Sequence, residues 1–335
     1  MAKFSQFYAM SAEINRSQET SPSVLHIAGH AIEPGQELLI DLNFARLPSR
    51  TEIVIPILVS RALLPGPILL LMAGLHGDEI NGIEIVRRIR DQGFHRPDKG
   101  TVICIPLLNI FGFVHFSRTV PDGKDVNRSF PGSKNGSLAS RVAYVLMKEI
   151  IPLVDYGIDF HTGGASRANI PQVRCNFDNP LSKELAVAFD APYTLHSKLI
   201  KGSLRHAAHK RGKSIIIYEG GESLRLNEKA IQVGINGTRR LMKHLGMLKT
   251  QPKSPNKSII INKRKWIRAR HAGLFHSLIK LGAIVKKGEN IGYITDPIGN
   301  FQIYVKSPEH AHVIGLNNNP VINQGDALLH LGIIK

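Results

Sequence analysis

Three times along this chain a short, largely apolar run ends in a side chain capable of chemistry and then in glycine. Residues 67–74 lead into Leu75-His76-Gly77-Asp78-Glu79, residues 156–160 into His161-Thr162-Gly163-Gly164, and residues 214–218 into Glu219-Gly220-Gly221. Runs this short and this continuously apolar are strands buried on both faces, which only a sheet covered by helices on both sides can accommodate. The helices are visible between them. Residues 79–92 place Ile80, Ile83, Val86 and Ile89 on one side and Arg87, Arg88 and Arg90 on the other. Residues 138–151 follow a capping Ser137 with the apolar stripe Leu138, Val142, Val145 and Leu146, residues 182–189 form a further helix, and residues 227–245 form one that closes at Gly246. Additional strands are expected at 53–59, 101–108 and 172–177. The fold class is therefore α/β, a mostly parallel or mixed sheet flanked by helices.

The organisation changes along the chain. Residues 1–50 carry weak strand signals around a Pro34-Gly35 turn and are grouped with the catalytic domain, which spans 51–246. Residues 247–265 have the Lys, Asn, Ser and Pro content of a linker. Residues 266–335 show no helical period but a quasi-repeat. Val285-Lys-Lys-Gly288-Glu289-Asn-Ile291-Gly-Tyr-Ile294 matches Ile322-Asn-Gln-Gly325-Asp326-Ala-Leu328-Leu-His-Leu331, a turn feeding a strand, used twice. This small all-β domain resembles the barrel-sandwich halves of biotinyl and lipoyl domains. At the hairpin tip where those carriers expose a lysine, the chain reads Ser307-Pro308-Glu309-His310-Ala311-His312, so the domain is expected to be structural or a lid and not a carrier.

Composition excludes several classes. No apolar run approaches the roughly 20 residues that a bilayer span needs, so no membrane is expected as a partner. Residues 1–18 show no apolar signal region, and two cysteines, Cys104 and Cys175, make no disulfide framework; both fit a cytoplasmic, reducing setting. The phosphate loop, the nucleophile elbow and the paired C-x-x-C of zinc ribbons are all missing. A net charge of +17 fits a polyanion or a small acidic substrate equally. Within residues 251–335, Lys263, Arg264, Lys265, Arg268 and Arg270 crowd together, but Trp266 and Phe275 alone are too few for a base-stacking platform, so nucleic acid is the weaker partner.

What remains is histidine and glutamate. With 15 histidines and 26 acids, chance alone supplies about one His-x-x-acid pair, and three occur. His30/Glu33 and His95/Asp98 sit in polar loops and read as surface coincidences. His76/Glu79 stands at the carboxyl edge of a buried strand, where open α/β sheets bind ligands. His161 ends another such strand. Two imidazoles and one carboxylate leave a fourth position for water, the pattern of a catalytic zinc and not of a closed structural one. Hydrolysis further needs a base, for which Glu219 is the candidate and Glu222, past the glycines, its rival. Asn127 and Arg128, in a loop rich in glycine and proline between the two histidines, can hold a carboxylate with a guanidinium fork and an amide donor.

The order His-x-x-Glu, then Asp125-Val126-Asn127-Arg128, then His161, then Glu219 resembles the zinc carboxypeptidase-like fold, and within it the succinylglutamate desuccinylase and aspartoacylase family. The resemblance covers about residues 67–246. It implies that His76, Glu79 and His161 hold one Zn2+ per chain, that Glu219 is general base and then acid, and that Asn127 and Arg128 grip a substrate carboxylate. It further implies that Asp125 accepts a hydrogen bond from His76 and that an arginine polarises the oxyanion, with Arg118 the candidate. The expected activity is hydrolysis of the amide bond of an N-acyl amino acid or similar small carboxylate, with a small acidic N-acyl substrate as partner; a zinc carboxypeptidase acting on peptides is the alternative enzyme. A homo-oligomer is compatible with the sequence.

Overall fold

The computed structural model describes residues 24–254 and 257–334. The expectation about residues 1–18 lies outside them. The first half of the chain runs through β1 (Leu25–Ile27), β2 (His30–Ile32), β3 (Glu37–Arg46), β4 (Glu52–Arg61), β5 (Leu64–Ala73), α1 (Ile80–Asp91), β6 (Lys99–Ile105), α2 (Ile110–Val114) and α3 (Leu138–Glu149). It continues through β7 (Tyr156–Gly163), β8 (Arg167–Cys175), α4 (Pro180–Phe189), β9 (Tyr193–His196), α5 (Leu204–His209), β10 (Ser214–Glu222) and α6 (Glu228–His244). After that only strands follow: β11 (Ile259–Ile261), β12 (Arg264–Arg268), β13 (Gly273–Ser277), β14 (Ile284–Val285), β15 (Asn290–Thr295), β16 (Gln302–Lys306), β17 (Ala311–Asn317), β18 (Val321–Ile322) and β19 (Ala327–Ile333).

Four strands at the heart of the large sheet, in the order β10-β7-β5-β6, are parallel, as the doubly buried runs require. Their side chains alternate between two cores. Leu70 and Met72 of β5 face the layer containing α3 and α5, whereas Leu69, Leu71 and Ala73 face α1, α4 and α6. Each such side chain, taken fully from water, contributes about 1.5 to 3 kcal/mol, which fixes the strand register. On α1 the buried stripe is Ile85, Val86 and Ile89, while Ile80 and Ile83 are only half-buried.

The sheet is mixed overall. Antiparallel partners flank the parallel centre, β4 beside β6 and β8 beside β10. The C-terminal strands join the same sheet, since β17 pairs with β8 and β11 pairs in parallel with β9. A separate four-stranded sheet, β16-β15-β13-β18, completes the C-terminal antiparallel region and closes a core of Ile267, Phe275, Val285, Ile291, Ile294, Val313, Leu329 and Leu331. His95 departs from its expected place. It is buried and bonded at 2.9 Å to Glu37 of β3, so the pair with Asp98 is a coincidence but not a surface one.

Candidate active site

Parallel register delivers the chemistry to one edge. Ala73 of β5 lies opposite Phe160 of β7, and Glu219 of β10 lies opposite His161, so the groups after β5 and late in β7 and β10 emerge together. His161 and Glu219 lie inside their strands and not after them, because pairing with β8 prolongs the ladder of β10 to Glu222. The tight passage from β5 into α1 depends on Gly77: a Cβ there would stand 1.9 Å from the backbone carbon of Gly112.

His76, Glu79 and His161 are all buried, and one donor atom from each lies within 4.8 Å of the others. Nδ1 of His76 is 2.8 Å from Glu79 Oε1, and Nδ1 of His161 is 2.8 Å from Glu79 Oε2. Both Nε2 atoms point away onto aspartates, His76 to Asp125 at 3.2 Å and His161 to Asp159 at 2.8 Å. Each ring is thus anchored from behind with the same nitrogen turned inward, the arrangement by which an outer carboxylate fixes the tautomer of a ligating histidine. Two imidazole nitrogens and one carboxylate suit a borderline cation such as Zn2+, and the donor set fits that ion.

Electrostatics within the cluster are strong. Burial pushes the Glu79 carboxyl up, but the two imidazoles outweigh it and hold the group well below the usual carboxylate range. Burial works against a charged His161, yet Asp159 and Glu79 raise it well above the ordinary histidine value; His76 is raised in the same way by Glu79 and Asp125. A cation entering among these donors therefore displaces protons.

Arg118 reaches directly into this group. Its Nη1 donates to Glu79 Oε1 at 3.2 Å and lies 3.2 Å from His76 Nδ1, while Nε and Nη2 donate to Asp125 Oδ2 at 3.1 and 2.9 Å. Asp125 therefore joins His76 to Arg118, and it also receives the Asn127 backbone N–H at 2.7 Å. Asn127 and Arg128 form a 3-10 turn, Val126–Arg128, in the same wall. The Asn127 side-chain oxygen accepts from the Leu204 N–H at 3.0 Å, which leaves its amide N–H2 as the end available to an acceptor. One guanidinium nitrogen of Arg128 donates to the Asn127 carbonyl at 2.8 Å.

Glu219 opens onto the same cavity of about 290 Å³ as His76, Glu79, His161, Arg118, Asn127 and Arg128. Its Oε2 accepts from Asn169 at 2.5 Å and its Oε1 pairs with Arg174 at 2.8 Å. Glu222 is directed elsewhere, accepting from Asn318 at 2.7 Å.

Several residues of the site escaped the sequence. Asp159, which backs His161 without lining the cavity, could have been found, since residues two apart on a strand share a face and it stands two before His161. Arg174 and Asn169 on β8, Arg205 on α5 and Trp266 on β12 line the cavity, and nothing in their local sequence marks them as doing so. Arg205 is buried without a carboxylate partner among the described residues, bonding to Ser197 Oγ and to the carbonyls of Lys198 and Arg174. Burial pulls its pKa down to about 10.

Comparison with known proteins places the chain in a family and matches its fold. Residues 65–245 match the family model for the succinylglutamate desuccinylase/aspartoacylase catalytic domain. The N-alpha-acetyl-L-2,4-diaminobutyric acid deacetylase of Halomonas elongata is 26% identical over 243 residues, covering 69% of this chain and 71% of that protein. A succinylglutamate desuccinylase/aspartoacylase structure from Rhodobacter sphaeroides superposes with a TM-score of 0.80 at 25% identity, over 90% of this chain and 95% of the other. The product-bound ectoine utilization protein EutE (DoeB) from Ruegeria pomeroyi also gives 0.80, at 23% identity over 89% and 95% of the two chains.

Proposed function

The chain belongs to the succinylglutamate desuccinylase/aspartoacylase family, and on that premise we propose that it is a zinc-dependent amidohydrolase that removes the acyl group from a small acidic N-acyl amino acid. The observation that carries the reading is the convergence of His76, Glu79 and His161 in one cavity with Glu219 and the Asn127-Arg128 pair. Zn2+ held by the two Nδ1 atoms and the Glu79 carboxylate would supply Lewis-acid polarisation and an acidified water.

The chain's own groups do the rest. Glu219 is held on both oxygens by Asn169 and Arg174, yet each carboxylate oxygen keeps a further lone pair, so it can take a proton from water and return it to the leaving nitrogen. Arg118 places positive charge where the amide oxygen becomes negative. The Asn127 amide and the Arg128 guanidinium hold the substrate carboxylate and fix which amide faces Glu219.

Substrate charge separates this chain from its deacetylase relative. The acids lining the cavity, Glu79 and Glu219, are already engaged, while Arg167 and Arg205 line it without a carboxylate partner among the described residues. An ammonium on the substrate would enter this field uncompensated. The experiment is a comparison of kcat/KM for the N-acetyl derivatives of aspartate, alanine and 2,4-diaminobutyrate on zinc-loaded protein. The aspartate compound should be best and the diaminobutyrate compound worst; the reverse order would overturn the acidic-substrate reading, and no turnover of any would overturn the reaction class.

A further inference from the structure

A second, larger cavity abuts the first and has no part in the reaction described above. Its volume is about 530 Å³, and it lies between β12 and the pair β15-β16 of the smaller sheet. Trp266 belongs to the walls of both cavities and to a third of about 410 Å³, so three depressions meet at one indole. This indole stacks on the neighbouring ring of His330 of β19 with ring centroids 4.1 Å apart and planes 4° from parallel, and Arg167 stands 6.0 Å from its centroid. Its own exposure is 37%.

The lining of the second cavity has two parts. Ile267, Ile294, Ile303 and Val305 with the ring of Tyr304 give it an apolar body. Lys265, Arg268, Arg270 and Lys306 surround that body, and no carboxylate lines it. Lys265 is offset by Glu309 at 3.2 Å, and Arg268 donates to the Gly325 carbonyl at 2.8 Å. Arg270 and Lys306 make no ion pair among the described residues. Like charges gathered around a concave apolar surface repel one another and lack the acid that would relieve them, which is the electrostatic complement of an anion. The floor and the indole wall add a requirement for a flat or apolar body.

We infer that this groove binds a compact organic anion carrying two or more phosphate or carboxylate groups on a flat, apolar body, placed against the outer side of Trp266. The site is independent of the hydrolytic chemistry, because none of Arg268, Arg270, Tyr304 or Lys306 lines the catalytic cavity.

The chain supplies its own reporter. Trp266 is its one tryptophan, so intrinsic tryptophan fluorescence reads this junction alone. Full-length zinc-loaded protein would be titrated with ADP, inorganic tripolyphosphate and citrate, with calorimetry in parallel. ADP, which alone of the three carries a flat body, should give a saturable change with matching heat and bind more tightly than tripolyphosphate or citrate, and Arg270→Gln/Lys306→Gln should weaken its binding about tenfold or more while leaving kcat/KM for a small N-acetyl amino acid unchanged. Absence of saturable ADP binding in both measurements, tripolyphosphate or citrate binding as tightly as ADP, or equal affinity in wild type and variant, overturns the inference. So does a single-stranded oligonucleotide that binds far more tightly than ADP with a steep salt dependence, since that is the signature of a polymer track. Failure of hydrolysis would leave these binding results standing, so the two readings fail separately.

Discussion

The edge of the parallel strands and the groove of the C-terminal region treat charge in opposite ways. At the first, Arg118, Asp125, His76, Glu79, His161 and Asp159 form a continuous chain of contacts between 2.8 and 3.2 Å, with both imidazoles and Glu79 buried. At the second, Arg270 and Lys306 stand at a solvent-facing groove without an acid partner among the described residues. The difference is one of solvation. A charge withdrawn from water must be paired and hydrogen-bonded or it costs several kcal/mol, whereas a charge in water tolerates neighbours of either sign. Paired buried charge therefore dictates geometry, and exposed charge is left to solvent or to a ligand.

The contrast can be broken most forcefully at the buried end. His76→Ala/His161→Ala should abolish both activity and zinc content, measured by elemental analysis; zinc retained at one per chain would remove the metal site from this edge. Glu219→Gln should keep the zinc and lower kcat by a factor on the order of 100 or more, and unchanged turnover would show that the proton is carried elsewhere.

Glycines sharpen the same contrast in stability. Gly77→Ala drives a Cβ into the backbone of Gly112 and Phe113 and should cost about 3 kcal/mol or more in urea unfolding. Gly288→Ala in the C-terminal region meets nothing within 4 Å and pays only for its φ of +85°, about 1 kcal/mol. Equal losses would mean that the two regions are packed alike.

Recognition lies between these extremes. Arg128→Lys keeps the charge but loses the fork and should lower kcat/KM for an N-acyl amino acid, and Arg128→Ala should lower it further, by about 1.5 to 3 kcal/mol of transition-state binding. Masking the substrate carboxylate as a primary amide should harm wild type far more than Arg128→Ala; equal penalties would show that Arg128 does not read that group.

The smallest effect belongs to a structural pair. Arg96 holds the Glu37 carboxyl down at about 2 against the opposing effect of burial, with Ser60 and His95 assisting. A carboxyl whose folded pKa is depressed adds stability above its unfolded pKa of about 4.5 and loses it as pH falls toward 2. Glu37→Gln should therefore cost about 1 kcal/mol at pH 7 and progressively less as pH falls through about 2, and a pH-independent difference would refute the ion-pair explanation.

Sequence legibility followed the same division. His76, Glu79, His161 and Glu219 stood out because strand ends in a parallel sheet are announced by continuous apolar runs and glycines, signals local to a few residues. The Asp125-to-Arg128 loop was legible only through its order relative to those strands. His95 was misread as a surface residue because its partner, Glu37, is 58 residues away on another strand.

By itself, then, the sequence determined the α/β pattern and the order of the strand-end groups, since both are written in side-chain period and residue type. Only the tertiary structure decided that Glu219 and His161 are register partners, that Asn169 and Arg174 of β8 hold Glu219, and that Trp266 of β12 reaches the cavity from the far end of the chain. The physical reason is that hydrogen-bonded register and sheet order join residues across separations of 45 and more positions, and no local pattern encodes a partner so remote.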